Sequence, residues 1–184
     1  MPTPRISPAE PPYEATIAES FARIMPPGIE PLKLFRTMAR NPRVLQRMFA
    51  GSLLDKGSVA MRDREIIILR TCARCNSEYE WGVHVAMFAQ RVELSAQEIA
   101  ATCDTVHGSD VWSPRDASLI GLTDALHDTA SVSDAAWDKL MQFYTEEQAL
   151  ELIVLVGYYH TISFVTNALR IELESYAPRF RPGT

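Results

Sequence analysis

The chain has 184 residues and a hydrophobic content of 47%, enough for one sizeable core, so the sequence predicts a single domain over residues 1–184. The formal net charge of -5 and the scattered basic residues argue against electrostatic binding to nucleic acid. The three cysteines, at positions 72, 75 and 103, do not make a disulfide framework and instead fit a reducing compartment.

Two segments bear on targeting and on membranes. Residues 1–12 are rich in proline and polar residues, and they lack the basic start and apolar stretch of a signal peptide. We expect them to form an extended arm that wraps a neighbour or frays. The longest apolar run, from Leu152 to Val165, is interrupted by polar residues and predicts a buried helix rather than a membrane span. The protein is therefore expected to be soluble, cytoplasmic and free of membrane contact.

Helix start and stop signals are dense along the chain, and no convincing strand alternation is present, so the sequence predicts an all-α bundle of about eight to nine helices. In chain order the helices are predicted over residues 13–25, 32–39, 42 to before 57, 63–75, 77–91, a sixth from Ser95, a seventh from Ser113, 133–144 and 145–174. The fourth is apolar on most sides, which is typical of an interior helix.

Four side chains of the fifth predicted helix share one face. Ser77, Glu80, Trp81 and His84 stand at i, i+3, i+4 and i+7. Glu80 and His84 can act as a general acid or base with its orienting partner, or they can form an ordinary solvated ion pair. Glu65, on the preceding helix, reaches the same place if the two helices pack antiparallel.

Residues 64–70 (REIIILR) and 78–84 (EYEWGVH) resemble the carboxymuconolactone decarboxylase family, which includes the alkylhydroperoxidase D-like proteins. The alkylhydroperoxidase signature is a glutamate, eleven residues, a cysteine, two residues, a cysteine, three residues and a histidine. Glu65 and His84 match its ends, whereas Ser77 and Glu80 stand where the two cysteines belong. The resemblance covers roughly residues 30–175 and implies the alkylhydroperoxidase D-like helical bundle.

The family's decarboxylase branch uses neither a dithiol nor a cofactor. The resemblance therefore implies a cofactor-free enzyme that performs decarboxylation or lactone chemistry on a small organic acid from aromatic catabolism. His84 would be the proton donor, and Glu80 and Glu65 would set its protonation state. An anionic substrate would also need a cation, for which the candidates are Arg62, Arg64 and Arg70.

The substrate-binding candidates are Ser77, Tyr79, Trp81 and Arg62. The two aromatic residues have an alternative place in the core or at an interface. The sequence gives only weak support for a metal site formed by Glu65, Glu80 and His84, because no second histidine is near in the sequence. We therefore predict no metal and no cofactor.

Two alternatives remain open. Cys72 and Cys75 form a Cys-x-x-Cys five residues upstream of the family's register, and they are either small buried hydrophobes or a displaced redox pair. In the second case the protein would be an alkylhydroperoxidase-like antioxidant. The third possibility is a non-catalytic protein of this fold that binds a small molecule.

The remaining histidines are interpreted as structural or surface residues. His107 and His127 are predicted at the surface, and His160 is predicted to be an interior histidine that can also line the pocket. Several helices are apolar over more than one face, so we expect a homo-oligomer. The family resemblance implies trimers or hexamers, and dimers built from long helices are an alternative.

Overall fold

A computed structural model describes residues 3–104 and 110–180, and His107 lies outside them. Within that part of the chain there are nine α-helices, one π-helical turn and no β-strand. The elements are α1 (Ala15–Ile24), α2 (Lys33–Met38), α3 (Pro42–Ala50), α4 (Met61–Arg74), α5 (Glu78–His84), the π-helical turn (Val85–Ala89), α6 (Ala96–Ala101), α7 (Pro114–Thr129), α8 (Asp134–Met141) and α9 (Glu146–Leu169).

Capping side chains begin several helices where the sequence predicts them. Ser95 and Glu98 form a reciprocal capping box at α6, and Thr145 and Gln148 form another at α9. At α7 the hydroxyl of Ser113 accepts a hydrogen bond from the backbone of the third helical residue. Local sequence therefore determines these three starts.

Helix ends are less well predicted. α9 ends at Leu169 rather than at about residue 174, whereas α3, predicted to end before residue 57, ends at Ala50. At α9 the reason is Arg170, whose φ of 53° is left-handed and stops the helix. The helix predicted over 77–91 is α-helical only to His84 and then widens into the π-helical turn.

Helix α4 is the central element of the bundle. Its residues from Asp63 to Cys72 are all buried, and it packs against α5, α7 and α9. Buried charge on α4 is neutralised locally, because Arg70 donates to both carboxylate oxygens of Asp124 on α7, at 2.7 and 2.8 Å. The predicted interior position of this helix is confirmed.

Among the described residues, α9 is the one helix long and apolar enough to cross a membrane by length and composition. Its most apolar window is 44% buried inside the protein, and the helix packs against α4, α5, α7 and α8. These contacts are those of a core helix, as the interrupted apolar run predicts.

The described part of the N-terminal arm, residues 3–12, packs against other residues of the same chain. The backbone N–H of Arg5 donates to the carbonyl of Leu169 at 2.9 Å. Ala9 and Arg36 exchange two hydrogen bonds of 3.0 Å, one between backbones and one from the guanidinium Nε to the carbonyl of Ala9. The described part of the arm is therefore held by hydrogen bonds rather than frayed.

The C-terminal segment crosses α5 at Gly82. A Cβ at this position would lie 2.5 Å from the carbonyl oxygen of Pro178, so only glycine permits the crossing. Next to it the rings of Trp81 and Phe180 pack with their centroids 5.2 Å apart. The segment thereby holds the helix that carries His84.

Candidate active site

A buried carboxylate and a buried imidazole meet between α4 and α5. Oε2 of Glu65 lies 2.7 Å from Nδ1 of His84, and both residues are almost fully buried. With Nδ1 protonated, the imidazole donates to the carboxylate, which fixes the orientation of the ring. Glu65 comes from the middle of the central helix and His84 from the last residue of α5, so packing between the two helices creates the pair.

The other ring nitrogen of His84 has two oxygen neighbours. The hydroxyl oxygen of Tyr159, on α9, lies 2.9 Å from Nε2. Oε1 of Glu80, one helical turn before the histidine, lies 3.5 Å from the same atom. Glu65, Glu80 and His84 therefore converge as the spacing predicts, and Tyr159 is a fourth member that the spacing does not reveal.

The carboxylates decide the charge of the imidazole. Burial by itself lowers the pKa of His84, but the charges and hydrogen bonds of Glu65 and Glu80 outweigh it and raise the pKa to about 9. Burial, together with the charge of Glu80, raises the pKa of Tyr159 well above its usual range. At neutral pH the site thus holds an imidazolium beside a protonated phenol.

Glu80, His84 and Tyr159 reach the wall of a cavity of about 560 Å³. Most of the wall is apolar or aromatic, and it includes Leu34, Phe35, Phe49, Met87, Phe88 and Tyr158. The π-helical turn supplies Met87 and Phe88, and the Phe88 ring lies 5.2 Å from that of His84. Such a mainly apolar cavity with a few convergent polar groups is typical of a small-molecule site.

Two polar features of the cavity can meet a ligand. Oε2 of Glu80 is buried and has no hydrogen-bond partner within residues 3–104 and 110–180. Arg91 also lines the cavity, and it follows shortly after the π-helical turn. It is a cation that the sequence pattern does not single out, because the π-helical turn breaks the α-helical period between His84 and Arg91.

The three arginines predicted as substrate cations lie elsewhere. Arg70 is occupied by Asp124, and Arg64 donates to the carbonyl of Leu54 at 3.0 Å while its Nε lies 3.6 Å from Oε1 of Glu65. Arg62 pairs with two carboxylates, those of Glu98 and Asp116. None of the three lines the cavity, so Arg62 is corrected from a substrate-binding to a structural residue.

Ser77 and Tyr79, predicted to bind substrate, are core residues instead. The hydroxyls of Ser77 and Thr166 lie 2.8 Å apart in the interior between α5 and α9. The hydroxyl of Tyr79 donates to Glu174 at 2.7 Å and accepts from the backbone of Leu34 at 3.0 Å. Neither residue lines the His84 cavity.

Trp81 is a core residue as well. Its indole N–H donates to the hydroxyl of Thr102 at 2.9 Å, and its ring packs on Phe180. The sequence pattern places Ser77, Glu80, Trp81 and His84 on one broad face, but that face meets both the core and the cavity. Only Glu80 and His84 are on the cavity side.

Cys72 and Cys75 also lie outside the wall of the cavity. Cys72 is completely buried, and its burial and then the charge of Glu80 raise the pKa of the thiol well above its ordinary value. Burial also raises the pKa of the half-buried Cys75 thiol. Because the thiolate is the reactive form, this environment is unlike that of a reactive cysteine pair.

Residues 41–122, which include Glu65, Glu80 and His84, match the model of the carboxymuconolactone decarboxylase family. Residues 41–122 are thus the part of the chain that is similar to this family. No curated protein matches its sequence. Within this segment, Ser77 and Glu80 stand in place of the two cysteines of the alkylhydroperoxidase signature.

Several solved structures have the same all-α architecture, and some of them are alkylhydroperoxidase D-like proteins. A peroxidase-related protein from Silicibacter sp. TM1040 has a TM-score of 0.77 and 15% identity over 98% of this chain and 100% of its own. Another with an alkylhydroperoxidase AhpD core, from Ralstonia eutropha JMP134, has a TM-score of 0.78 and 17% identity over 95% of this chain and 94% of its own. The predicted all-α fold is confirmed.

A third similar structure contains a ligand. A cysteine-to-alanine variant of the debrominase Bmp8, in complex with 2,3,4-tribromopyrrole, has a TM-score of 0.71 and 17% identity over 96% of this chain and 94% of its own. At such identities the likeness concerns the fold. Enzymes with different reactions share this architecture, so the reaction must be argued from the residues at the site.

Proposed function

We propose that this protein is a cofactor-free acid–base enzyme in which the imidazolium of His84 protonates a small organic acid as it loses its carboxylate. The observation that carries the proposal is the buried chain of Glu65, His84 and Tyr159 at the wall of an apolar cavity. A general acid must be held in one orientation and must be protonated at the working pH. The short bond to Glu65 supplies the orientation, and the pKa of about 9 supplies the proton.

The proposed reaction balances without a cofactor. The bond between the substrate's α-carbon and its carboxylate breaks, carbon dioxide leaves, and the electron pair remains on the substrate as an enolate-like anion. Nε2 of His84 then gives its proton to that carbon, and the neutral ring regains a proton from solvent. The positive imidazolium also stabilises the developing anion, since it is fixed in a site of low polarity.

The cavity indicates the class of substrate. Its aromatic and aliphatic wall favours a compact unsaturated or aromatic ring, and the related debrominase fold holds a ring of that size, 2,3,4-tribromopyrrole. Arg91 is the guanidinium available for a carboxylate. The unpartnered Oε2 of Glu80 suits a hydroxyl or N–H donor on the substrate. Lactone acids and hydroxylated unsaturated acids from aromatic catabolism in the cytoplasm have these groups.

The test is a screen of lactone acids and unsaturated or aromatic carboxylic acids for release of carbon dioxide. For a substrate found in this way, the His84→Gln variant should lose activity by about 100- to 10,000-fold, the usual contribution of a general acid. Turnover by His84→Gln at the parent rate would contradict the proposed role of the imidazole.

The pH profile tests the role of Glu80. Activity should fall as the pH rises through the pKa of His84, and Glu80→Gln should move this alkaline fall to lower pH, because the amide no longer stabilises the imidazolium. The matched control is Glu147→Gln, which changes an exposed carboxylate in the first turn of α9. If the alkaline fall in activity moved equally in both variants, Glu80 would act only as one more negative charge of the protein and not through its contact with His84. Tight binding of screened acids without turnover would instead support the non-catalytic alternative.

A further inference from the structure

Three metal-ligating side chains converge away from the His84 cavity. Cys75 is the C-cap residue of α4, His127 is in the last turn of α7, and His160 is in the middle of α9. Sγ of Cys75 lies 3.8 Å from Nδ1 of His127, which in turn lies 3.0 Å from Nε2 of His160. All three ligand atoms lie within 4.8 Å of one another. We infer that Cys75, His127 and His160 bind Zn²⁺.

The separations fit a single tetrahedral ion. With Zn–S of about 2.3 Å and Zn–N of about 2.05 Å, tetrahedral angles place sulfur about 3.6 Å from each nitrogen and the two nitrogens about 3.3 Å apart. The observed 3.8 and 3.0 Å differ from these values by a few tenths of an ångström. All three ligand atoms lie within 4.8 Å of one another, so rotation of the side chains would bring them to the separations of a tetrahedral site.

The orientation of the His160 ring matches the proposed role. Its Nδ1 lies 2.9 Å from the carbonyl of Val156 and donates to it, which leaves the lone pair of Nε2 directed at His127. A histidine that ligates a metal commonly donates its other N–H to a carbonyl or carboxylate in this way. The rings of His127 and His160 are also tilted by 35° with centroids 5.2 Å apart, so both nitrogens face the same space.

The local charges are compatible with a bound cation. A neutral imidazole is the form that ligates a metal, and Nδ1 of His127 lies between Sγ of Cys75 and Nε2 of His160, at 3.8 and 3.0 Å. Arg74 is the opposing positive charge, but it is paired with the carboxylates of Asp128 and Asp124. Binding would displace the thiol proton of Cys75, since the thiolate is the ligand.

A route from solvent and an open coordination position are both present. His127 lines a surface cavity of about 220 Å³ together with Arg74 and Asn76. Because the three side chains leave a fourth tetrahedral position, water would complete the coordination. None of the three residues lines the His84 cavity, so the ion would join α4, α7 and α9 without entering the proposed acid–base chemistry.

The experiment uses the full-length protein without an affinity tag, after removal of metals with a chelator. Titration with Zn²⁺ against a chromophoric chelator should give one ion per chain. Cys75→Ser, His127→Gln and His160→Gln should each weaken binding by at least about 100-fold, because each removes a direct ligand, whereas loss of an outer partner costs about 10- to 100-fold. The control is Cys103→Ser, which changes a similarly half-buried cysteine and should leave the affinity unchanged.

Titration of the parent protein with Co²⁺ does not depend on whether the variants fold. A thiolate-to-cobalt absorption band with the intensity of a tetrahedral site would support the inference. No binding of either ion by the parent protein would overturn it, and so would Zn²⁺ binding that survives Cys75→Ser or is lost in Cys103→Ser. Circular dichroism of each variant shows whether the helical fold is intact.

Discussion

The hydroxyl of Tyr159 lies 2.9 Å from Nε2 of His84, and both side chains are buried. The two rings meet edge to face with an interplanar angle of 86°, so the phenol oxygen, rather than the ring face, approaches the imidazole. Since Nδ1 of His84 is occupied by Glu65, Tyr159 controls the nitrogen that remains for substrate. We regard Tyr159 as a positioning residue for the proposed proton donor.

Tyr159→Phe should lower the free energy of unfolding by about 1.5–3 kcal/mol, because it removes a buried hydrogen bond to a charged group. Urea unfolding of the parent, Tyr159→Phe, His84→Gln and the double variant measures the coupling between the two side chains. We expect a coupling energy within the range of about 0.5–3 kcal/mol found for residues in direct contact.

The matched control for that cycle is Tyr158→Phe. Tyr158 lines the same cavity, but its hydroxyl donates to the carbonyl of Met48 at 2.9 Å and not to His84. Its coupling to His84→Gln should be close to zero. Equal coupling for the two tyrosines would mean that loss of aromatic packing, and not the bond to His84, explains the effect.

Stability should fall as the pH rises from about 6.5 to about 9. The pKa of His84 is about 9 in the folded protein and about 6.5 in an unfolded chain, so between these values the folded state holds a proton that the unfolded state lacks. The stabilisation is complete below about pH 6.5 and is lost by about pH 9. Its size is about 3 kcal/mol, measured by urea unfolding across this range.

His84→Gln serves as the reference for the pH measurement. This variant is expected to be less stable at every pH, because it leaves Glu65 buried without a cation. The informative quantity is the pH dependence: the difference in stability between parent and variant should shrink toward pH 9. A difference that stays constant from pH 6 to pH 9 would show that His84 is neutral in the folded protein.

Helical periodicity explains which parts of the site are readable from the sequence. The spacing from Glu80 to His84 is one helical turn, so this spacing alone places the two side chains on the same side of α5. Glu65 depends in addition on the packing of two neighbouring helices. Tyr159 lies 75 residues beyond His84 in the sequence. Its hydroxyl reaches Nε2 of His84 only because α9 packs against α5, and no local spacing in the sequence indicates this contact.

The mistaken residues have a physical reason too. The helix face that holds Trp81 and His84 is wide enough to contact both the core and the cavity. Residues that share this face therefore need not line the same cavity. The half-buried cluster is also not readable from the sequence, because each histidine looks ordinary alone: His127 is predicted at the surface, and His160 in the interior. Their convergence with Cys75 appears only when α4, α7 and α9 are packed together.

The protein should lack ordinary dithiol peroxidase activity. Ser77 and Glu80 replace the two cysteines of the signature, and the upstream Cys72 is buried with a raised thiol pKa. An organic hydroperoxide with a dithiol as reductant should therefore be consumed only at the background rate. The assay is run with the parent and with Cys72→Ser and Cys75→Ser. Robust turnover that disappears in Cys72→Ser would establish the displaced redox pair.

We also propose that the protein is a homo-oligomer assembled through the outer face of α9. Leu150, Val154 and Phe164 are exposed by 66%, 47% and 65%. At 100° per residue they fall within about 80° of arc, so they form one apolar stripe along the helix. The same arc contains Gly157 and Thr161, whose small side chains permit close approach of a second helix. An exposed stripe of this kind typically marks an interaction surface.

Light scattering at micromolar concentration should report a dimer or a higher oligomer for the parent protein. Leu150→Glu and Phe164→Glu should each shift the population toward monomer, because a buried unpaired carboxylate at the interface is unfavourable. The matched control is Ile29→Glu, which alters another exposed apolar residue, 54% exposed, that lies outside the stripe. It should leave the mass unchanged. A monomeric parent protein would contradict the proposal. An oligomer that neither α9 variant affects would show that the interface lies on another surface.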